Sequence, residues 1–239
     1  MSVPEATLSR NRLLAGLPGD ARSDVAAVAT LTPLELKKML FEPGQPIAQV
    51  YFPLLGVCSL LSVIGQDGGV EVATVGNEGF VGLPVFLQAT LTSAHMAIVQ
   101  IEGEALVVES GAFLDLSNSG GSLQVVFARY TQALITQIAQ GVACNRLHDV
   151  VQRAARWLLM THDRVDGASF GLTQEFLGQM LGVGRQSVND AAQRLQRDGL
   201  IEYGRGAITV RDRAGLERRA CECYAVIRAE FDRLLPSAQ

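Results

Sequence analysis

The strongest constraint on the fold lies in residues 172–201, where LTQEFLGQMLGVGRQSVNDAAQRLQRDGLI predicts two short helices joined by a glycine turn. Thr173 can cap the first helix, because its hydroxyl oxygen accepts a hydrogen bond from a free backbone N–H group. Leu177 and Leu181 are spaced i, i+4 on the buried face of this helix. Gly182 supplies the left-handed backbone conformation that ends it. The spacing is that of a helix-turn-helix.

The second helix places apolar and polar side chains on different faces. Val188, Ala191 or Ala192, and Leu195 recur at helical spacing and are predicted to point inward. Arg pairs well with guanine and Gln or Asn with adenine in the major groove, and a helix N-terminus favours phosphate. This pattern predicts a helix that reads DNA with the cap and the polar residues of its first turns: Thr173, Arg185, Gln186, Ser187, Asn189 and Asp190.

A β-hairpin is predicted directly after this helix pair. GLIEYGRGAITVRD at 199–212 has Gly204 and Gly206 at its tip with Arg205 between them. Such a wing can contact the DNA backbone beside the groove, so Arg205 is the seventh candidate DNA contact. The alternative is a simple pair of helices with a solvated polar face, and the hairpin favours the winged helix-turn-helix.

The front of the chain is predicted to be a β domain behind a helical leader. Residues 8–30 are rich in Leu and Ala, with Pro18 and Gly19 between two helical stretches. From Leu36 to about Val108, short apolar runs with period-2 stretches alternate with turn signals such as EPGQ, GNEG and EGE. We expect an antiparallel β-barrel or jelly roll.

The hydrophobic period changes from two to about 3.6 after SNSGG at 117–121. Residues 122–146 are predicted to form one long helix that pairs with a second copy of the chain. The alternative is packing on its own barrel. The apolar stripe of the predicted dimer helix consists of Leu123, Val126, Phe127, Tyr130, Leu134 and Ile138.

Two further helices are predicted in the C-terminal part. Residues 148–164 form an amphipathic helix with Arg153, Arg156 and Arg164 outward, and residues 213–235 form another that packs on the winged domain. Cys221 and Cys223 are two apart on the latter, so they point to different faces and make a poor metal pair. With Cys58 and Cys144 they show no regular spacing, and reduced thiols are expected.

The order of β domain, long helix and winged helix-turn-helix resembles the Crp/Fnr family of bacterial transcription regulators. The resemblance implies an α+β chain made of a cyclic-nucleotide-binding-like barrel at 1–121, a dimerisation helix at 122–146 and a winged DNA-binding domain at 147–239. It is most specific from Thr173 to Val210. The family's best-known member begins its recognition helix with Arg-Glu and has a later Arg, where this chain has Gln186 and Asp190.

The resemblance also implies an effector pocket in the barrel. GNEGFVGLPVFL at 76–87 resembles the family's glycine turn and short helix, so the candidate pocket residues are Glu78, Gly82, Leu83, Thr92 and Ser93. Members that bind cyclic nucleotides carry a Gly-Glu pair and a later Arg that holds the phosphate. Both are replaced here, so cyclic nucleotide is not expected. Iron-sulfur and haem cofactors are not expected either, since no cysteine precedes Cys58 and His95 stands alone on a predicted strand.

Composition places the chain among soluble globular proteins, with 48% hydrophobic residues, 18% charged residues and a net charge of -4. We expect a cytoplasmic protein whose partners are double-stranded DNA, a second copy of the chain and RNA polymerase, with no membrane. Common catalytic motifs such as GxSxG and HExxH do not occur, so an enzyme is not expected. The remaining alternative is a regulatory module that binds a protein partner through the helix pair.

Overall fold

The computed structural model describes residues 3–63, 69–88, 91–204 and 206–235. The leader forms three helices, α1 (Glu5–Leu8), α2 (Arg12–Ala15) and α3 (Gly19–Val28). The β domain contains β1 (Thr30–Leu34), β2 (Met39–Phe41), β3 (Gln49–Val63), β4 (Gly69–Val75), α4 (Leu83–Leu87), β5 (His95–Glu109) and α5 (Ser110–Asn118).

The rest of the chain is mainly helical. It contains α6 (Ser122–Leu147), α7 (Val150–His162), β6 (Ser169–Gly171), α8 (Gln174–Leu181) and α9 (Arg185–Arg197). The wing follows as β7 (Ile201–Gly204) and β8 (Ala207–Val210), and the chain ends in α10 (Arg213–Arg219) and α11 (Cys223–Leu234). The expected α+β class, with a β domain, a long helix and a C-terminal helix-turn-helix, is confirmed. No helix among the described residues is long and apolar enough to span a bilayer.

The N-terminal sheet is antiparallel, and its long strands β3 and β5 form its centre. The strand order is β1, β5, β3, β4, with β2 also paired to β5, so the pairs among the described residues do not close into a ring. The β3–β5 register shifts around Gly56, where φ is +91° and an added Cβ would lie 2.6 Å from the carbonyl oxygen of Ile101. These bulges bend both strands, which lets one sheet curve around a core.

The GNEG turn at 76–79 connects the β domain to the helices packed behind it. A Cβ at Gly79 would overlap the ring of Tyr130, whose hydroxyl donates a 3.0 Å hydrogen bond to the carbonyl oxygen of Phe80. A Cβ at Gly76 would lie 2.6 Å from the side chain of Arg164. Both glycines are therefore needed for close approach of these side chains.

The apolar stripe predicted to join two subunits packs instead on the chain's own β domain. Leu123, Phe127, Tyr130 and Leu134 are at most 3% exposed, and Phe127 and Tyr130 belong to an aromatic cluster with Phe80. Val126 and Ile138 are half-buried at its edge. The prediction that this face of the helix joins two subunits is therefore wrong. The spacing of apolar residues is the same whether a helix packs on a neighbouring sheet or on a partner helix.

The arginines predicted to point outward from the next helix are buried. Arg153, Arg156 and Arg164 are 8%, 9% and 8% exposed. Arg164 forms an ion pair with Glu78 at 2.8 Å, and Arg153 donates to the carbonyl oxygen of Leu181. A pattern of hydrophobic spacing places every charged residue on the surface, whereas the guanidinium groups of Arg153 and Arg164 bind acceptors on other elements. Arg156 donates within its own helix, to the sulfur of Met160.

The last predicted helix is two helices. Ala220 is extended, with φ -69° and ψ 160°, so α10 ends and α11 starts in a new direction at Cys223. Helix α11 packs mainly on α6, where Phe231 lies beside Tyr130 with ring centroids 6.5 Å apart. The expectation of packing on the winged domain alone was therefore too narrow.

Candidate nucleic-acid interface

Capping interactions within residues 173–183 set the start and the end of the first helix of the helix-turn-helix, as the sequence predicts. The hydroxyl oxygen of Thr173 accepts from the backbone N–H of Phe176 at 3.2 Å. Gly182 is left-handed, with φ 62° and ψ 38°. The N–H groups of Gly182 and Val183 bond to the carbonyls of Gln179 and Gly178, at 3.2 and 3.0 Å. This pair of hydrogen bonds is a Schellman motif, which sets the turn without help from distant residues.

The second helix is anchored by its predicted apolar face. Val188, Ala191, Ala192 and Leu195 are buried where α9 meets α7 and α8. A Cβ on Gly178 would lie 3.1 Å from the carbonyl oxygen of Val183 and 3.4 Å from the side chain of Val188, so a larger residue would push α8 and α9 slightly apart. The opposite face is therefore held rigidly toward solvent.

The first turn of α9 presents a row of exposed polar side chains. Arg185, Gln186 and Ser187 are exposed, and Gly184 at the N-cap offers no side-chain oxygen to the free N–H groups of the helix start. Gln186 donates to Asp190 at 3.0 Å, and the side chain of Asn189 accepts from Gln174 at 3.3 Å. The predicted contacts on α9 thus lie in its first two turns, where N–H groups and the guanidinium of Arg185 favour a polyanion.

The wing lies next to this helix. Strands β7 and β8 pair from Ile201↔Val210 to Gly204↔Ala207, and β6 adds a third strand. The side chain of Gln196 on α9 accepts from the backbone N–H of Tyr203 at 2.8 Å, which fixes the hairpin to the helix. Burial raises the pKa of Tyr203, so its hydroxyl stays protonated at neutral pH. Arg205 lies outside the described residues, so its role stays a prediction.

A cleft of about 1010 Å³ runs along the start of α9. The helix pair contributes Thr173 and Arg185, the wing contributes Gly204, and the barrel contributes Ser62 and Val70. Helix α8 also packs on β4. The β domain therefore touches the same helix pair that carries the candidate DNA contacts.

Most residues of the predicted effector pocket are bonded to other groups of the protein itself. The carboxylate of Glu78 pairs with Arg164 and accepts from the N–H of Gly76 at 3.2 Å, so it faces the domain junction. This contact contradicts a free ligand group at that position. The hydroxyl of Ser93 accepts from the N–H of His95 at 2.9 Å, and Thr92 bridges to Pro46. Gly82, with φ 120°, and Leu83 begin α4. No effector site follows from these contacts.

Sequence reasoning missed a cluster of Cys144, His148, Cys221 and Cys223, whose ligand atoms all lie within 4.8 Å of one another. Cys221 sits in the break between α10 and α11, so the argument from a continuous helix fails for the Cys221 and Cys223 pair. The hydrogen bond with Cys221 and the nearby positive charge of Arg156 lower the pKa of Cys144 below its ordinary value. The only local signal was the i, i+4 spacing of Cys144 and His148 at a helix end.

Comparisons with known proteins agree with this architecture. A family model described as the Crp-like helix-turn-helix domain matches residues 152–219. FixK2 from Bradyrhizobium japonicum superposes with a TM-score of 0.68 at 17% identity, covering 81% of this chain and 98% of FixK2. A CRP-family transcriptional regulator from Thermus thermophilus gives 0.65 at 19% identity, covering 79% of this chain and 96% of the regulator.

A third structure is the c-di-GMP responsive global regulator CLP, which links cell-cell signalling to virulence gene expression in Xanthomonas campestris. It gives a TM-score of 0.63 at 16% identity, covering 81% of this chain and 99% of CLP. None of the curated proteins matches the chain in sequence. Residues 152–219 are thus similar to Crp-like helix-turn-helix domains, and the chain as a whole has the fold of Crp/Fnr transcription regulators.

Proposed function

We propose that the protein is a sequence-specific DNA-binding transcription regulator of the Crp/Fnr type. The observation that carries this proposal is the exposed polar first turn of α9, held above a buried apolar face and beside a wing. A helix-in-groove module for a protein partner needs an exposed apolar stripe there, and the apolar side chains of α9 are buried. DNA binding is therefore favoured over binding of a protein partner as the function of this helix pair.

Arg185 and Gln186 are the proposed base-reading side chains, since both are exposed at the helix start. Ser187 and the free N–H groups of that turn suit phosphate. The hydrogen bond from Gln186 to Asp190 aligns the amide of Gln186 while leaving its carbonyl oxygen free to accept, as from a base amino group. Thr173, at the start of α8, would contact the backbone.

The proposed dimer uses a different face of α6 from the one predicted. Val125, Ile135 and Val142 are 51%, 58% and 68% exposed, although all three are large apolar residues. With Ala128, Gln132 and Ala139 between them, they follow alternating steps of three and four, the spacing of a parallel coiled-coil seam. We propose that two copies pair along this stripe.

A dimer on this seam would present two α9 helices to successive major grooves, so its target would be a palindrome with half-sites about 34 Å apart. RNA polymerase is a further proposed partner, and the cytoplasm is the proposed location. Cyclic nucleotide is not the proposed effector, because Leu83 follows Gly82 and Thr92 stands where the phosphate-binding Arg would be.

The test compares Arg185→Ala with the wild type on a duplex that the wild-type protein selects from a random pool. We expect binding to weaken by about 1 to 3 kcal/mol and specificity to relax at one base pair. Fluorescence anisotropy on the matched duplex and on single-base variants measures both. The control is Arg10→Ala, which removes an equally positive, exposed side chain from the leader. Equal losses for Arg185→Ala on matched and mismatched duplexes would contradict the assigned role.

A further inference from the structure

Four metal-ligand side chains meet where the long helix ends and the C-terminal helices begin. Cys144 is in the last turn of α6 and His148 follows that helix as its C-cap. Cys221 lies in the break before α11, and Cys223 is the first residue of α11. The three cysteines are at most 4% exposed, and 13% of the His148 side chain is exposed. Two segments that are distant in sequence, 144–148 and 221–223, thus converge on one small space.

Two ligand separations in this cluster are close to those of a tetrahedral zinc ion, and all ligand atoms lie within 4.8 Å of one another. Zinc bonds of about 2.3 Å to sulfur and about 2.0 to 2.1 Å to nitrogen imply ligand separations of about 3.8 Å for S···S and about 3.6 Å for S···N. The Sγ atoms of Cys144 and Cys221 are 3.5 Å apart, and Cys223 Sγ lies 3.5 Å from His148 Nδ1. A disulfide needs about 2.05 Å, and all of these cysteines are free.

The histidine has the orientation of a metal ligand. Its Nδ1 faces Cys223, while its Nε2 lies 3.3 Å from the carboxylate of Glu222. Metal-binding histidines commonly donate their other N–H to a carboxylate, which fixes the tautomer and the ring orientation. Glu222 occupies this outer position, and Arg156, 9% exposed, adds positive charge near Cys144. Three thiolates with one zinc ion carry a net negative charge, which a buried guanidinium offsets.

We propose that Cys144, His148, Cys221 and Cys223 form a structural zinc site that fastens the α10–α11 segment to the end of α6. Thiolate and imidazole ligands favour zinc over magnesium or calcium, and four protein ligands leave no open position for catalysis. The site lies at the junction of the long helix with the winged domain. It does not depend on the proposed DNA binding.

The test is metal binding by the full chain, purified under reducing conditions and stripped with a chelator. Titration with Co²⁺ is expected to give the absorption of one tetrahedral, thiolate-bound cobalt per chain, displaced by equimolar Zn²⁺. Zinc is also expected to raise the Tm, since a metal that binds only the folded state stabilises it. A stripped wild type that gains neither the cobalt spectrum nor a higher Tm overturns the proposal, whatever the variants do.

Variants locate the site. Cys144→Ala and Cys221→Ala are expected to lose the thiolate-cobalt spectrum, while Cys58→Ala keeps it, because Cys58 is an equally buried thiol inside the β domain. Glu222→Gln is expected to weaken zinc affinity about 10- to 100-fold with the spectrum unchanged, as for other outer-sphere partners of ligating histidines. Far-UV circular dichroism checks that each variant folds. Unchanged cobalt spectra in folded Cys144→Ala and Cys221→Ala contradict the site.

Discussion

The half-buried carboxylate of Glu71 joins the β domain to helix α7. Trp157 on α7 donates to Glu71 Oε1 at 2.7 Å, and Ser59 lies 2.8 Å from Glu71 Oε2 and 2.6 Å from Gln100 Oε1. One hydroxyl has one proton, so it cannot donate to both oxygens. Both contacts are satisfied if Glu71 is protonated and donates to Ser59. Burial accordingly raises the pKa of Glu71 to about 7.

Glu71→Gln is predicted to stabilise the protein at neutral and higher pH. Because the folded-state pKa is raised, the wild type is fully stable with respect to this group below about pH 4.5 and loses stability as pH rises toward 7. Gln can accept from Trp157 and donate to Ser59 without a charge. The shift corresponds to a gain of up to about 3 kcal/mol at about pH 8 and none at about pH 4.

Thermal unfolding of both proteins across this pH range measures the effect of Glu71→Gln. Glu42→Gln serves as the control, because Glu42 is an exposed carboxylate on the same domain. A constant difference in Tm between wild type and Glu71→Gln at all pH values would show that Glu71 does not titrate as proposed.

Residues with local partners were predictable from the sequence, and residues with distant partners were not. Thr173 and Gly182 cap their helix through neighbours within five positions, so their roles follow from type and spacing. Arg164 binds Glu78, 86 positions away, and Cys221 meets Cys144 at a separation of 77. Hydrophobic periodicity contains no information on such pairs, which only the packed chain brings together.

At the scale of elements, α6 has two apolar faces with separate tasks. One face packs on the β domain, and the exposed stripe containing Ile135 is the proposed dimer seam. The helix and its length follow from the sequence, whereas the face that packs on the β domain does not, because both apolar stripes have the same period.

Ile135→Glu is predicted to shift the protein from dimer to monomer while leaving the fold intact. The substitution places like charges opposite each other in the seam and removes apolar contact from its centre. Size-exclusion chromatography with light scattering measures the mass in solution. Leu36→Glu, which replaces a residue exposed to 54% on the β domain against 58% for Ile135, is the control. A dimeric Ile135→Glu protein would rule out this seam.

The wing is predicted to hold the DNA backbone rather than read bases. Arg205→Ala is expected to weaken binding on all sequences alike and to reduce the slope of log K against log salt by about 1, because one phosphate contact is lost. Titrations at several salt concentrations on matched and unrelated duplexes measure this slope. Loss confined to the matched duplex would instead make Arg205 a base-reading residue.

At the scale of the whole molecule, several contacts hold the helix-turn-helix domain against the β domain. The Glu78–Arg164 ion pair joins the barrel to the end of α7, and Gln137 on α6 accepts a further hydrogen bond from Arg164 at 3.2 Å. Val70 lies against the turn at Gly182. Regulation that moves the two domains relative to each other must exchange these contacts for others, so an effector has to bind the rearranged form more tightly than the present one.

The most direct test of the proposed function is selection of duplexes from a random DNA pool by the purified wild-type protein at about physiological salt, without added ligand. We expect enrichment of a palindrome whose half-sites are one helical turn apart, matching two copies of α9 on one face of the duplex. Recovery of no enriched sequence, with or without cell extract in the binding reaction, would contradict a sequence-specific DNA-binding protein.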